Sequence, residues 1–247
     1  MLCLAMDTAG SQCAACLYDG AARRMLAQHS ETIDRGHAER LMGIISEVMG
    51  SAGAGYGDLA KIITSTGPGS FTGIRVTVAT AKGFGLGLGI PVIGISTLAA
   101  MLATVREKAP GDGGAGFGAL IDARRGEVHG LLDFETPLAA AETPFAADLA
   151  GFAGLLEERL ASDPAGRLVL GIQEIGQGAG SDAGTIEARI AQSAFADRID
   201  VLPIAAVPIR LYAELGAAAD QATHLAEPLY LRPPDAKPQT GFAVKRI

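Results

Sequence analysis

The sequence of 247 residues has few side chains that form disulfides or bind metals, with three cysteines and four histidines. Cys13 and Cys16 lie in a CAAC sequence, but a redox or zinc motif would need a helix N-terminus or a second pair of ligands, and neither is visible. In a strand, these two side chains point to opposite faces. We therefore expect reduced core cysteines in a cytosolic protein. The histidines also lack the spacing of a metal motif, so we expect no metal site.

Positive charge is also scarce. Lysine and arginine number 20 against 27 aspartates and glutamates, which gives a net charge of −7 and a pI near 5.1. An acidic protein lacks the basic surface needed to grip nucleic acid by itself, so a partner would hold most of any bound RNA. The N-terminal MLCLAMD has no basic region of the kind that begins a signal peptide.

Charge is missing altogether from residues 83–105, a stretch long enough to span a membrane. Four alternating glycines from Gly83 to Gly89, followed by Pro91, would interrupt a single continuous helix. The pattern is better explained by the end of one helix, a buried strand and the start of the next helix.

What the sequence does contain is a pattern of strands and helices that starts twice. LAMD at residues 4–7 and ALID at residues 119–122 are apolar strands that end in aspartate, and each leads through a hairpin to a second aspartate. This pattern predicts an α/β chain of two similar lobes, residues 1–108 and 109–247, the second ending in a proline-rich tail. In the second lobe it predicts a helix from Ala146 to Leu160.

The loop STGPGSFTGIRV, Ser65 to Val76, joins a predicted strand to a helix predicted to run from Ile74 to about Gly85. Glycines before a helix can expose backbone N–H groups to an anion. The spacing nevertheless matches neither the dinucleotide motif GxGxxG nor a P-loop. Arg75 in the first helical turn would oppose the helix dipole, which suggests a ligand, an internal carboxylate or a partner.

Two features leave the choice of function open. Small residues at Thr77, Ala81 and Gly85 would let another helix approach, and Met42 and Met49 widen the apolar arc of the first helix, unless both helices are simply buried. Asp7 and Asp122 could face each other across a cleft as carboxylates for Mg–nucleotide, or each could close a turn. The first possibility makes a stand-alone Mg-nucleotide-dependent ATPase or phosphotransferase the alternative function.

Several motifs together resemble the TsaB family of bacteria: MDTA, GHAERLM, GPGSFTGIRV, AKGFGLGLGIPVIGISTLAAM, DARRGEVHG and PLYLRPP. The resemblance implies an actin/Hsp70/sugar-kinase-like fold of two RNase H-like lobes. It also implies a cytoplasmic, non-catalytic scaffold subunit of the machinery that makes threonylcarbamoyladenosine next to the tRNA anticodon. Such a chain binds a TsaD-like catalytic subunit, joins a TsaE-like ATPase in a larger complex, forms homodimers and meets tRNA only through the complex.

The resemblance also implies roles for individual residues. It places the partner interface on one set of residues in the first helix and another at the loop and second helix: His37, Arg40, Leu41 and Ile44, with Phe71, Thr72, Arg75 and Val76. Asp7 and Asp122 take the positions of vestigial nucleotide-binding residues. The chain itself is expected to need no cofactor, with ATP or ADP and Mg entering in the complex. The metal-binding HxxxH motif of the catalytic relative is missing from the sequence, which argues against a protease.

Overall fold

Two five-stranded sheets form the frame of the protein, for which the computed structural model describes residues 1–33, 35–109, 115–134, 143–162, 166–174 and 183–231. The first sheet consists of β1 (Leu2–Asp7), β2 (Gln12–Asp19), β3 (Arg24–Thr32), β4 (Leu59–Gly67) and β5 (Val92–Ser96), in the order β3-β2-β1-β4-β5. The second consists of β6 (Ala115–Arg124), β7 (Glu127–Asp133), β8 (Phe145–Asp148), β9 (Arg167–Glu174) and β10 (Ile199–Pro203), in the order β8-β7-β6-β9-β10. Both sheets therefore have the same strand order.

Each sheet combines an antiparallel meander with two parallel strands. In the first, β1, β2 and β3 pair antiparallel, while β4 and β5 continue parallel to β1. In the second, β6, β7 and β8 form the meander, and β9 and β10 continue parallel to β6. This repetition confirms the α/β fold of two related RNase H-like lobes expected for the actin/Hsp70/sugar-kinase-like class.

In the described residues, six α-helices cover the two sheets: α1 (His37–Ala52), α2 (Phe71–Leu88), α3 (Thr97–Lys108), α4 (Leu149–Ser162), α5 (Ala183–Ala191) and α6 (Ile209–Ala218). Helices α1 and α2 pack on the outer face of the first sheet, and α4 and α5 pack on the second. Helices α3 and α6 share a core with side chains from both sheets, including Ile63 and Ile121. The central layer of the molecule is therefore helical and joins the lobes.

The predicted boundary after Lys108 falls between the two sheets, but α6, which follows it in sequence, packs on the first sheet. Helix α6 packs on β1, β2 and β4 of the first sheet. Gly216 in this helix lies so close to Ile63 that an added Cβ would collide with the isoleucine side chain. The first lobe is thus completed by a helix from the far end of the chain.

Two predicted helix boundaries were wrong. Helix α2 begins at Phe71 rather than Ile74, because the Ser70 side chain accepts a hydrogen bond from the Gly73 N–H and caps the helix three residues earlier. Arg75 therefore lies beyond the first turn. In the second lobe the helix begins at Leu149 rather than Ala146, since residues 145–148 pair with β7 as the short strand β8.

The cysteines and the uncharged stretch have the structure that the sequence predicts. Cys13 and Cys16 lie in β2 and point into different cores, and all three cysteines are buried and free. Burial raises the pKa of the Cys13 thiol to about 11, which keeps it protonated at neutral pH. Residues 83–105 form the end of α2, the strand β5 and most of α3. No helix in the described part of the chain is long and apolar enough to cross a membrane.

Candidate functional site

The glycine-rich loop after β4 packs against the turn between β1 and β2. An added Cβ at Gly69 would collide with the Ala9 carbonyl, and one at Gly73 would collide with the Thr8 carbonyl. Across the same contact the Ser70 N–H donates to the Ala9 carbonyl at 2.7 Å, and the Thr8 hydroxyl donates to the Gly73 carbonyl at 2.7 Å. These glycines therefore serve close packing within the chain.

A narrow cleft lies beside this contact, where both lobes meet. Its lining includes Asp7, Gly69, Thr97, Gln173 and Tyr212. Only about 20 Å³ of it is accessible to the centre of a water molecule, which is space for very few waters. Ligand pockets for molecules of nucleotide size are typically on the order of 300 Å³ or more. Between the described residues, the cleft is therefore narrow.

The aspartates at the ends of β1 and β6 have the same local role. Asp7 is buried and accepts a hydrogen bond from the Ala9 N–H at 2.8 Å, and Asp122 is buried and accepts one from the Arg124 N–H at 2.7 Å. Each carboxylate thus closes a turn by bonding the backbone two residues on. Burial raises the pKa of Asp7, which lines the cleft. Asp122 is not among the residues that line it, so the structure does not bring the two carboxylates together there.

The predicted interface residues of α2 form an exposed cluster with a tyrosine from the C-terminal segment. The Arg75 guanidinium lies 3.6 Å from the centre of the Phe71 ring, and its Nε donates to the Tyr230 hydroxyl at 3.1 Å. The Phe71 and Tyr230 rings are 5.7 Å apart and about half exposed, at 55% and 50%. We call Phe71, Arg75 and Tyr230 the aromatic–arginine cluster. Thr72 is exposed beside it.

The predicted interface residues of α1 divide between surface and core. Arg40 is half-buried and binds Glu31 through its Nε at 2.7 Å and Glu47 through an Nη nitrogen at 2.8 Å. Leu41 and Ile44 are fully buried in the first lobe. They pack α1 onto the core of the first lobe and contribute no exposed area, whereas Arg40 reaches the surface.

His37 and Val76 occupy positions between surface and core. His37, the first residue of α1, is half-buried, and its Nε2 is buried without a hydrogen-bond partner in the described residues. Val76 is partly buried and packs against the core of the first lobe. These two residues of the predicted interface therefore lie at the margin of the exposed surface.

The small residues of α2 face inward rather than outward. The Thr77 hydroxyl is 2.9 Å from the Thr64 hydroxyl, and an added Cβ at Gly85 would collide with Val92 in β5. Of the two alternatives that the sequence left open for these residues, an approach surface or burial, the structure shows burial against the sheet. The exposed face of α2 continues from the cluster to Leu86, which is 88% exposed.

Sequence reasoning missed Tyr230 as a surface residue of interest, although it lies in the PLYLRPP motif. The sequence contains no signal for a contact between Tyr230 and Phe71, because the two residues are far apart in the chain. The methionines also differ from expectation: Met42 is 49% exposed, but Met49 is buried in the core. Within the described residues, no group of three or more His, Cys, Asp or Glu side chains could hold a metal ion.

Comparison with known proteins finds similarity over about half of the chain. The family model for TsaD, tRNA N6-adenosine threonylcarbamoyltransferase, matches residues 26–146. The tRNA threonylcarbamoyladenosine biosynthesis protein TsaB of Escherichia coli is 35% identical over 130 residues, covering 52% of this chain and 53% of that protein. TsaB of Bacillus subtilis is 31% identical over 119 residues, covering 46% and 48%. Over about half of its length, this chain is therefore similar to TsaB proteins.

The fold is matched over more of the chain than the sequence is. The chain spans about half the length of the curated TsaB relatives it matches. YeaZ from Pseudomonas aeruginosa superposes with a TM-score of 0.63 at 23% identity, covering 93% of this chain and 99% of that one. The region matched by the family model contains α1, the glycine-rich loop and α2. Both helices that carry the predicted TsaB interface therefore lie inside it.

Proposed function

We propose that this chain is a non-catalytic scaffold and activator subunit of the machinery that forms threonylcarbamoyladenosine in tRNA. In this role it binds a TsaD-like transferase through α1 and α2 and stabilises the competent state of that subunit. Binding can shift a partner toward one conformation only when that conformation is bound more tightly than the others. The names of the curated relatives and of the matched family support the pathway.

The observation that carries the proposal is that the two sides of the glycine-rich loop have different surroundings. Gly69 and Gly73 are packed against the turn after β1, while Phe71 and Arg75 are exposed on the opposite side. A loop that binds phosphate needs its glycine backbone turned toward open space. Here the backbone meets the protein's own chain and the large side chains face outward, an arrangement that suits contact with another protein.

The narrow cleft supports a role without chemistry in this chain. Its small volume and the tight packing of Gly69 argue against a nucleotide site beside Asp7. We therefore propose that this chain requires no cofactor and that ATP or ADP and Mg enter through the partner subunits. No catalytic step is assigned to Asp7 or Asp122.

The remaining partners are inferred from charge and from the expected complex. With a net charge of −7, this chain would meet tRNA mainly through its catalytic partner. A TsaE-like ATPase would join the larger assembly, and α1 and α2 would also support a homodimer when the partner is missing. We propose a cytoplasmic location, where tRNA modification takes place.

Reconstitution tests the proposal directly. A cell extract that forms threonylcarbamoyladenosine is depleted of this chain and of the TsaD-like subunit, and the purified proteins are added back singly or together with unmodified tRNA. We expect threonylcarbamoyladenosine to form only when this chain and the TsaD-like subunit are both present. Full transfer by this chain without the TsaD-like subunit, or transfer that does not depend on this chain, would contradict the proposal.

The alternative, a stand-alone Mg-nucleotide-dependent ATPase or phosphotransferase, rests on the position of Asp7 in the cleft. Isothermal titration of the chain alone with Mg–ATP distinguishes the two functions. The scaffold proposal predicts no binding heat. Micromolar binding that Asp7→Ala removes and Asp58→Ala retains would favour the enzyme, because Asp58 is exposed and lies outside the cleft lining.

A further inference from the structure

Arg75 is held in place by two aromatic side chains. Its guanidinium stacks on Phe71 at 3.6 Å, and its Nε donates to the Tyr230 hydroxyl, which leaves both Nη nitrogens without a partner among the described residues. No aspartate or glutamate of the described residues forms an ion pair with it, whereas Arg40, Arg167 and Arg210 each bind at least one. A planar guanidinium with two free nitrogens matches the two oxygens of a carboxylate.

The segment that carries Tyr230 is also fixed to the first lobe. The Gly94 N–H donates to the His224 carbonyl at 2.9 Å, and the Leu229 N–H donates to the Thr66 carbonyl at 2.8 Å. Ala226 between these contacts is buried in the first lobe. Tyr230 therefore comes directly after an anchored backbone. Because Arg75 is stacked and hydrogen-bonded before any partner arrives, little side-chain entropy is lost on binding.

Charge and surroundings favour a protein carboxylate over a nucleic acid phosphate. Along the whole of α2 the only cations are Arg75 and Lys82, seven residues apart, and the chain is acidic overall. Phosphate backbones are held by several cations together. A single oriented arginine between two half-exposed aromatic rings is typical of a protein–protein hot spot.

We propose that the aromatic–arginine cluster is a receptor for one aspartate or glutamate side chain of the TsaD-like partner. Arg75 binds the carboxylate through its two Nη nitrogens, Phe71 supports the guanidinium, and Tyr230 is a positioning residue that holds Nε. This inference rests on the proposed function and adds to it the chemistry of the contact and the participation of the segment after α6.

The affinity of the purified chain for the TsaD-like subunit, measured by isothermal titration at low and high salt, tests this. Arg75→Lys keeps the charge but loses the planar fork, and we expect it to weaken binding about tenfold or more. Tyr230→Phe should weaken binding by a smaller factor, and its effect should be largely lost when Arg75 is already Lys. Arg189→Lys, at an exposed position of α5 in the other lobe, is the matched control and should bind like wild type.

The outcomes separate this inference from the proposed function. If the wild-type chain does not bind the TsaD-like subunit, the proposed function itself is wrong. If wild type binds and Arg75→Lys stays within twofold of it, only the carboxylate contact is overturned. The contact is also overturned if the Arg75→Lys effect requires tRNA, because Arg75 would then bind a phosphate. It is likewise overturned if the Arg75→Lys effect disappears when the chain is truncated after Leu231, because Arg75 would then bind a carboxylate of the chain's own C-terminal segment. Restored binding between Arg75→Glu and a partner variant with an aspartate or glutamate changed to arginine would identify the bound residue.

Discussion

The two lobes share a strand order but differ in the helix that comes after their fourth strand. In the first lobe β4 leads through the packed glycine loop into α2, a helix of 18 residues. In the second lobe, the described helix after β9 is α5 at Ala183–Ala191, and it contains no aromatic residue. The turns after the first strands remain alike, since Asp7 and Asp122 each bond the backbone N–H two residues on.

This comparison separates what the fold requires from what one lobe adds. The turn-closing aspartates recur in both lobes and therefore serve the shared architecture. The aromatic–arginine cluster belongs to the first lobe, where a long helix and the segment after α6 meet. A geometry repeated in both lobes thus argues for structure, and a feature built in only one argues for function.

The loop of the first lobe is where we expect the largest loss of stability. In Gly73→Ala, the new methyl group would collide with the Thr8 carbonyl, and neither backbone segment can move without breaking its hydrogen bonds. We expect a loss of about 3 kcal/mol in the free energy of unfolding. Urea denaturation followed by circular dichroism measures it.

Gly83→Ala is the matched control on the same helix. Gly83 is exposed, and an added Cβ there meets no atom within 4 Å. Alanine is the better helix former, so this variant should gain roughly 0.5–1 kcal/mol. Equal stability of Gly73→Ala and wild type would show that the loop is not packed against the turn after β1.

The second prediction concerns how the last helix is attached to the first lobe. Lys61 in β4 donates from Nζ to the carbonyls of Gly216, Ala217 and Ala219 at 3.2, 3.0 and 2.9 Å. Lys61→Met keeps the apolar stem but removes these bonds, and should cost about 1.5–3 kcal/mol, as for hydrogen bonds to a charged group. Thermal denaturation measures the loss.

Lys82→Met is the control for the loss of one positive charge. Lys82 is exposed on α2, where replacement should change the stability by less than about 0.5 kcal/mol. If Lys61→Met and Lys82→Met were equally stable, the end of α6 would not depend on the lysine for its attachment.

Much of the fold could be predicted because local patterns determine it. The apolar strands ending in Asp7 and Asp122 indicated the duplication, and the glycines before Pro91 excluded a membrane helix. The start of α2 was misplaced because the cap comes from Ser70, inside what looked like a loop. The short strand β8 was missed because residues 145–148 pair with β7, a contact that local propensity does not encode.

The candidate site was harder to predict, because burial decides the role of each residue there. The pattern of small residues on α2 did not reveal that Gly85 faces Val92 rather than solvent. Nothing local linked Tyr230 to Arg75, since 155 positions separate them and only the path of the segment after α6 brings them together. Long-range contacts of this kind require the assembled fold.

The third prediction uses two aspartates of the first hairpin that should respond to pH in opposite directions. Burial raises the pKa of Asp7 above its ordinary value near 3.8, so the folded state disfavours its ionised form. Wild type therefore loses stability as the pH rises through the folded pKa of Asp7, and Asp7→Asn should be more stable than wild type at pH 7. The gain should shrink toward acid pH, where both states hold the proton.

The pKa of Asp19 is shifted in the opposite direction. The Ala22 N–H, with the N-terminal ammonium group and the Ala21 N–H, lowers the pKa of its carboxyl group. Its contribution is present at neutral pH and is lost as the pH falls through the folded pKa. Asp19→Asn should therefore be less stable than wild type at pH 7, with the difference also shrinking toward acid. Denaturation from pH 7 to pH 3 tests both, and a loss of stability in Asp7→Asn at pH 7 would contradict the role given to burial.

The smallest effect is expected for the ion pairs that join helices at the surface of the central layer. Arg210 in α6 binds Glu107 in α3 at 2.7 Å and Glu214 at 2.8 Å, and its hydrogen bond lowers the pKa of Glu107. These side chains are 30–45% exposed, so water and salt screen the attraction. Arg210→Gln should cost about 0.5 kcal/mol at low ionic strength and nearly nothing in 1 M NaCl.

Arg167→Gln makes the same test in the second lobe, where Arg167 binds Asp200 at 2.9 Å and both side chains are 54% exposed. Because this pair is more exposed and lies between neighbouring strands, its loss should be no larger than that of Arg210→Gln. Chemical denaturation at both salt concentrations compares the two variants. A loss well above 1 kcal/mol for Arg210→Gln that persists in 1 M NaCl would mean that the contact between α3 and α6 holds the lobes together, which the shared apolar core makes unnecessary.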